Sequence, residues 1–137
     1  MIKLEAYLTF GGNCEEAINF YQSCFGGEIT LLEKFGDSPM DVPESHKDKI
    51  MHTTLVTDAF RLLASDGMPD FVPASANNVS LSLELNDNTV QDKIYDKLSE
   101  GGVKSFPPQD TSWNSRFGML TDKFGINWML SVNHPQK

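Results

Sequence analysis

An α+β fold of two tandem βαβββ modules, forming a curved eight-stranded mixed sheet, is predicted by three observations. The order strand, helix, three strands occurs twice along the 137 residues. Each helical stretch is followed by a glycine pair, Gly26-Gly27 and Gly101-Gly102. Each copy closes with a hairpin, and the turns TDAF (57–60) and TDKF (121–124) match at an offset of 64. Self-similarity at a regular spacing marks a repeated structural unit. One βαβββ unit has a half-covered sheet and cannot bury its apolar face alone. Two copies can close side by side into a cup with the helices outside, and ligands bind preferentially in such concave sites. The chain 1–137 is therefore expected to be one domain, with module one at about 1–66 and module two at about 79–134.

The elements follow in order. KLEAYLTF (3–10) alternates Leu4, Ala6, Leu8 and Phe10 on one strand face. GGN turns the chain, and Asn13 with Glu16 three residues on has the form of a capping box. Ala17, Ile18, Tyr21, Cys24 and Phe25 then repeat with helical spacing, predicting a helix over 14–25. The glycine pair supplies a left-handed stop. EITLLEKF (28–35) is a strand, and GDSPMDVPESHKD (36–48) is a polar loop with two prolines. KIMHTTLVTD (49–58) and FRLLAS (60–65) form a hairpin. DGMPDFVPASANN (66–78) is a Pro/Gly/Asn-rich connector.

The order then returns. VSLSLELN (79–86) alternates Val79, Leu81, Leu83 and Leu85. Asn88 is placed to cap a helix over 89–100 that carries Val90, Ile94 and Leu98. VKSF (103–106) is strand-like, PPQDTSWNS (107–115) reads as loop, and RFGMLTD with INWMLSV closes a second hairpin. Caps and glycine pairs repeat at an offset of 75 (Asn13 with Asn88), but the apolar stripe repeats at 73 (Tyr21 with Ile94).

The net charge of −8 argues against nucleic acid as a partner, which would call for a basic surface. No apolar window approaches 18 residues, so no membrane partner is expected. The opening MIKLEAYLTF is short in apolar residues and broken by Glu5, unlike a signal peptide. Cys14 and Cys24 fall on one helix, about 15 Å apart along its axis, beyond the roughly 7 Å reach of a disulfide. The protein is accordingly expected to be cytoplasmic, with both thiols reduced.

A duplicated βαβββ unit resembles the vicinal oxygen chelate superfamily, which includes glyoxalase I, extradiol dioxygenases, and the fosfomycin and bleomycin resistance proteins. YLTFGGNCEEAINFYQSCFGG (7–27), LASDGMP (63–69), VSLSLELND (79–87) and WNSRFGMLTDKFGINW (113–128) resemble the PhnB-like branch. That resemblance implies the glyoxalase/bleomycin resistance fold and a homodimer whose connector 66–78 is long enough to exchange modules. It also attaches the label 3-demethylubiquinone methyltransferase. The chain has no Gly-rich strand-to-helix loop of the type that holds S-adenosylmethionine and no doubly wound pattern, so no cofactor is expected.

Metal-using members of the superfamily place ligands at four equivalent strand positions. These fall near Ala6, Leu63, Ser80 and Met129, none of which is a good donor, so no metal is expected. A one-residue slip offers only Glu5. The function expected is a small-molecule binding protein, or an enzyme of unassigned reaction, with a small-molecule ligand as partner. The alternatives are a metal-dependent lyase or dioxygenase and a drug-sequestering resistance protein. Candidate ligand contacts are His52 and Asp66 in the interior of the cup and Trp113 and Arg116 at its mouth. Trp113 would be an aromatic wall and Arg116 an anion-binding guanidinium. Set against these readings, His52 could be a locally bonded strand histidine, Asp66 a turn cap, and the Trp113–Arg116 loop mere packing with a salt bridge. Glu84 is expected in solvent, Trp128 in the core, and Asp122 shaping the last hairpin turn with Gly125.

Overall fold

The computed structural model describes residues 1–73 and 78–134. Part of the connector, residues 74–77, and the tail 135–137 lie outside it. The chain divides into two compact units, residues 1–74 and 75–137.

Unit one runs β1 (Ala6–Thr9), α1 (Cys14–Phe25), β2 (Glu28–Lys34), β3 (Ile50–Val56) and β4 (Arg61–Ser65). Its sheet has the order β1-β4-β3-β2, with β1 parallel to β4 and the other pairs antiparallel. The predicted polar loop contains two short 3-10 turns, Phe35–Asp37 and Glu44–His46. Unit two repeats the plan with β5 (Leu81–Glu84), α2 (Asn88–Leu98), β6 (Val103–Asp110), β7 (Ser115–Thr121) and β8 (Asn127–Asn133). Its order is β5-β8-β7-β6, again with one parallel pair, β5 with β8. Two mixed four-stranded sheets, each with one helix, give the α+β class expected.

Each sheet buries the face its helix covers. In unit one, Leu55, Leu62 and Ala64 are nearly or wholly buried, as are Ala17, Ile18 and Tyr21 of α1. In unit two the link is explicit. Gln91 on α2 donates to the carbonyls of Arg116 on β7 and Leu130 on β8, and the Tyr95 hydroxyl donates to the Met119 carbonyl. Leu120, Trp128 and Leu130 are buried with Leu98. Strand side chains alternate between faces, so the residues between these belong to the opposite, open face of each sheet.

Several local expectations are corrected. Asn13 stands at the N-cap of α1 but makes no side-chain cap, so the capping box does not form. The cap of α2 is Asp87, not Asn88; its carboxylate accepts from the N–H groups of Thr89 and Val90. The buried stripe of α2 is Gln91, Tyr95 and Leu98, while Val90 is 45% exposed. Caps and stripes then share one offset, 74: Asn13 with Asp87, Ala17 with Gln91, Tyr21 with Tyr95. The offset of 73 arose because a buried glutamine interrupts the apolar pattern, and the cap offset of 75 because Asn88 stands next to the true cap, Asp87.

The strand β6 extends to Asp110 and includes Pro107 and Pro108, which read as loop from the sequence. Proline is tolerated there because β6 is an edge strand with register shifts on both sides of Phe106. Gly118 on β7 lies beneath this run, where an added Cβ would approach the Pro108 ring at 3.1 Å.

The glycine pairs do two jobs. Gly26 and Gly101 take positive φ, 75° and 73°. The second glycine of each pair passes a strand end so closely that a Cβ would lie 2.2 Å from the Val56 carbonyl oxygen, or 2.3 Å from that of Thr121. Val56 and Thr121 end β3 and β7, which sets the true hairpin offset at 65 rather than the 64 of the TD match.

Candidate functional site

On the open face of unit one, β1 presents Tyr7 and Thr9, β4 presents Leu63 and Ser65, and β3 presents His52 and Thr54, following the register Tyr7↔Leu63↔Thr54. The Tyr7 hydroxyl lies 3.1 Å from His52 Nδ1, and the two rings stack at 5.6 Å with an interplanar angle of 24°. At the margin of the sheet the Glu5 carboxylate takes two bonds from the Arg61 guanidinium. That hydrogen bond holds the Glu5 carboxyl below its usual range and pushes Arg61 up.

The open face of unit two is aromatic and thioether-rich. Met119 pairs with Met129, and Phe117 with Ser131. Phe117 is flanked by Phe106 at 6.0 Å and by Trp113, edge-on, at 5.8 Å. Trp113 stays 61% exposed in the loop between β6 and β7. Glu84 on β5 is exposed, as expected, and accepts a bond from Asn133 Nδ2 at 3.0 Å.

The four sequence-predicted residues meet different fates. His52 lies on the open face with Tyr7 as its partner, and Trp113 lies beside the aromatic cluster of the other unit. Asp66 is 2% exposed and fully engaged. One oxygen accepts from the N–H groups of Gly12 and Cys14, and the other from that of Ile50. It thus does for the start of α1 what Asn13 was expected to do, from 52 residues away. Arg116 turns toward α2: it pairs with Asp92 at 2.8 Å and donates to Gln91 Oε1 at 2.8 Å. A β7 side chain that bonds the helix points away from the open face. The sequence missed Tyr7 because Ala6 was assigned the inner face; alternation counted back from Thr9 would have found it.

The same register moves the four superfamily ligand positions. Tyr7, not Ala6, stands beside Leu63 on the open face, and Ser82, not Ser80, stands beside Met129. Neither pair, the phenol and leucine of unit one or the serine and methionine of unit two, offers the imidazole, carboxylate or thiolate that Zn²⁺ or Fe²⁺ calls for. Among the described residues, no three His, Cys, Asp or Glu side chains converge as a metal site. Cys14 offers no nucleophile: burial, with help from Asp66 and Glu15, pushes its thiol up to about 12.

This fold, with paired strand positions on the open face of each repeat, defines a protein of the vicinal oxygen chelate superfamily. The chain belongs to the family described as 3-demethylubiquinone-9 3-methyltransferase, whose model matches residues 2–131, and to its PhnB-like branch. It is 30% identical to Protein YjdN of Escherichia coli (strain K12), with 94% of each chain covered. It resembles the crystal structure of protein PA1353 from Pseudomonas aeruginosa (37% identity, TM-score 0.88), covering 98% of this chain and all of that one. A putative 3-demethylubiquinone-9 3-methyltransferase, the PhnB protein from Bacillus cereus, matches at 25% identity and TM-score 0.77, covering 96% and 99%. A glyoxalase-related enzyme from Fulvimarina pelagi and the fosfomycin resistance protein FosX from Listeria monocytogenes share the fold at TM-score 0.66 each.

The family description implies a methyl donor. The backbone N–H groups opening α1 and α2 are the natural cradle for such a cofactor's charged groups. Here they are taken by the carboxylates of Asp66 and Asp87. The residues do not fit the group, and no methyl transfer is derived. Among the described residues, no helix is long and apolar enough to cross a membrane.

Proposed function

We propose that the chain binds a small, largely apolar or aromatic molecule on this scaffold, without a metal at the four strand positions. One observation carries the reading: the open face of unit one presents Tyr7 and Leu63 and that of unit two Ser82 and Met129, side chains that favour apolar contact and hydrogen bonding over coordination. The exposed indole of Trp113 against Phe117 supplies a stacking surface. Asp66 and Arg116 are not part of the site, since their charges are satisfied within the fold. A thermal-shift screen of aromatic acids, phenols and quinones tests this. A ligand at about 100 times its Kd adds roughly 2.7 kcal/mol of apparent stability. We expect such a ligand to be found, its binding to survive chelator, and Trp113→Ala to weaken it at least tenfold. Binding that requires added Zn²⁺, Ni²⁺, Mn²⁺ or Fe²⁺ would overturn the reading.

We further propose that the protein is a C2 homodimer in the cytoplasm. Each sheet ends in edge strands, β1 and β2 in one unit and β5 and β6 in the other, and proteins usually cover such edges. Next to β1, Ile2 and Leu4 are 97% and 95% exposed. Light scattering at micromolar concentration should give twice the chain mass of 15.3 kDa; a monomer mass would refute the dimer. The cytoplasmic placement is supported by Cys14 and Cys24, which share α1 and are too far apart to bridge.

A further inference from the structure

We propose that His52, held in place by Tyr7, receives the ionisable hydroxyl of a small phenolic or enolic ligand. The inference rests on the reading that the open face holds a small molecule, and it names the chemistry of that molecule. In the sheet, β4 lies between β1 and β3. A bond from Tyr7 on β1 to His52 on β3 therefore carries the tyrosine side chain across β4, over the strand that bears Leu63. Yet Tyr7 remains 49% exposed. The tyrosines that serve packing behave differently: Tyr21 and Tyr95 are 0% and 2% exposed.

The His52 Nε2 makes no hydrogen bond to any described residue, so the pair spends one ring nitrogen on Tyr7 and keeps the other for a ligand. When the ring proton is on Nδ1, that N–H donates to the Tyr7 oxygen. Nε2 is then an acceptor on the far side of the ring, and a ligand hydroxyl donates to it. Its O–H bond breaks toward Nε2, the electron pair stays on the ligand oxygen, and the ring becomes an imidazolium held by its Nδ1–H bond to Tyr7. The oxyanion accepts from the new Nε2–H, and no further reactant is needed. A carboxylic acid is already ionised at neutral pH and has no use for this base; a phenol or enol has.

Among the charged groups on this side of the sheet, Glu33 on β2 is in register with His52. Glu5 and Arg61, on the β1 and β4 side, neutralise each other.

The test uses 4-nitrophenol, whose phenolate absorbs in the visible, buffered one unit below the midpoint of its free ionisation. Adding the full-length protein is expected to raise the phenolate band at constant pH. His52→Gln should abolish the rise, with His52→Asn as a second variant. Tyr7→Phe should keep the base but reduce the rise at least threefold. The residues are partly exposed, so unchanged unfolding midpoints will show that the variants fold. No phenolate band, or an equal band in the His52 variants, overturns the pair. If 4-nitrophenol raises the thermal midpoint without a phenolate band, the pair is wrong and the small-molecule reading stands. If no compound of the screen raises the midpoint, that reading falls as well.

Discussion

Replacing Asp66 by alanine is expected to remove about 4 kcal/mol of stability, roughly a quarter or more of what a domain of this kind possesses. Its carboxylate accepts from three backbone donors at 2.8–2.9 Å: Gly12, Cys14 and Ile50. The truncation leaves these N–H groups facing a hole in the core, and each buried donor without a partner costs about 1–3 kcal/mol. Two of them open α1 and the third starts β3, so the variant loosens the helix and the sheet together. Asp66→Asn separates charge from shape. The amide retains one acceptor oxygen but turns its NH₂ group toward a donor, either Ile50 or the Gly12–Cys14 pair. We expect a loss of about 2–3 kcal/mol, because one side of the bridge breaks and the other holds. Urea unfolding at neutral pH reads both values. A loss below 1 kcal/mol for the alanine variant would show that the carboxylate does not hold these elements together.

Asp66 also marks where sequence reading stops. The repeat, both helices and all eight strands were legible, because each rests on local periodicity and punctuation. The linear pattern alone could not show that the acid in ASDGMP closes a helix that begins 52 residues earlier. Nor could it show that Gln91, polar by composition, is fully buried and bonded to two strands. Long-range polar contacts leave no periodic trace. The open-face residues failed for a smaller reason: a one-residue error in strand phase moves a side chain to the other face. That error hid Tyr7 and promoted Ala6. Arg116 was misjudged because the alternation of β7 fixes two faces but does not say which of them the helix covers. His52 sits on the open face of unit one, and Trp113 in the loop beside Phe117 of unit two.

The second large effect is expected at Asp122. The two hairpin turns look alike in sequence, TDAF and TDKF, but they are closed by different residues. In the first, the Thr57 hydroxyl accepts from the N–H groups of Ala59 and Phe60, and Asp58 is exposed. In the second, the strand ends one residue later relative to the match, so Asp122 takes the place of Thr57. One of its oxygens accepts from Phe124 and Ile126, and the other from the Trp128 indole at 2.9 Å. Both Asp122 and Trp128 are nearly buried, 3% and 2% exposed. Asp122→Ala should therefore cost about 3 kcal/mol, by orphaning a buried indole N–H and loosening the turn. Asp58→Ala, its counterpart in the sequence match, should change stability by less than about 0.5 kcal/mol, as surface substitutions usually do. Made in a Trp113→Phe background, the Asp122 variant leaves Trp128 as the sole tryptophan, so with excitation selective for indole the same urea titration reports its surroundings. A shift in native-state emission with the loss of stability is the expected result. Equal effects of Asp58→Ala and Asp122→Ala would mean that the TD match, and not the strand ends, identifies equivalent residues.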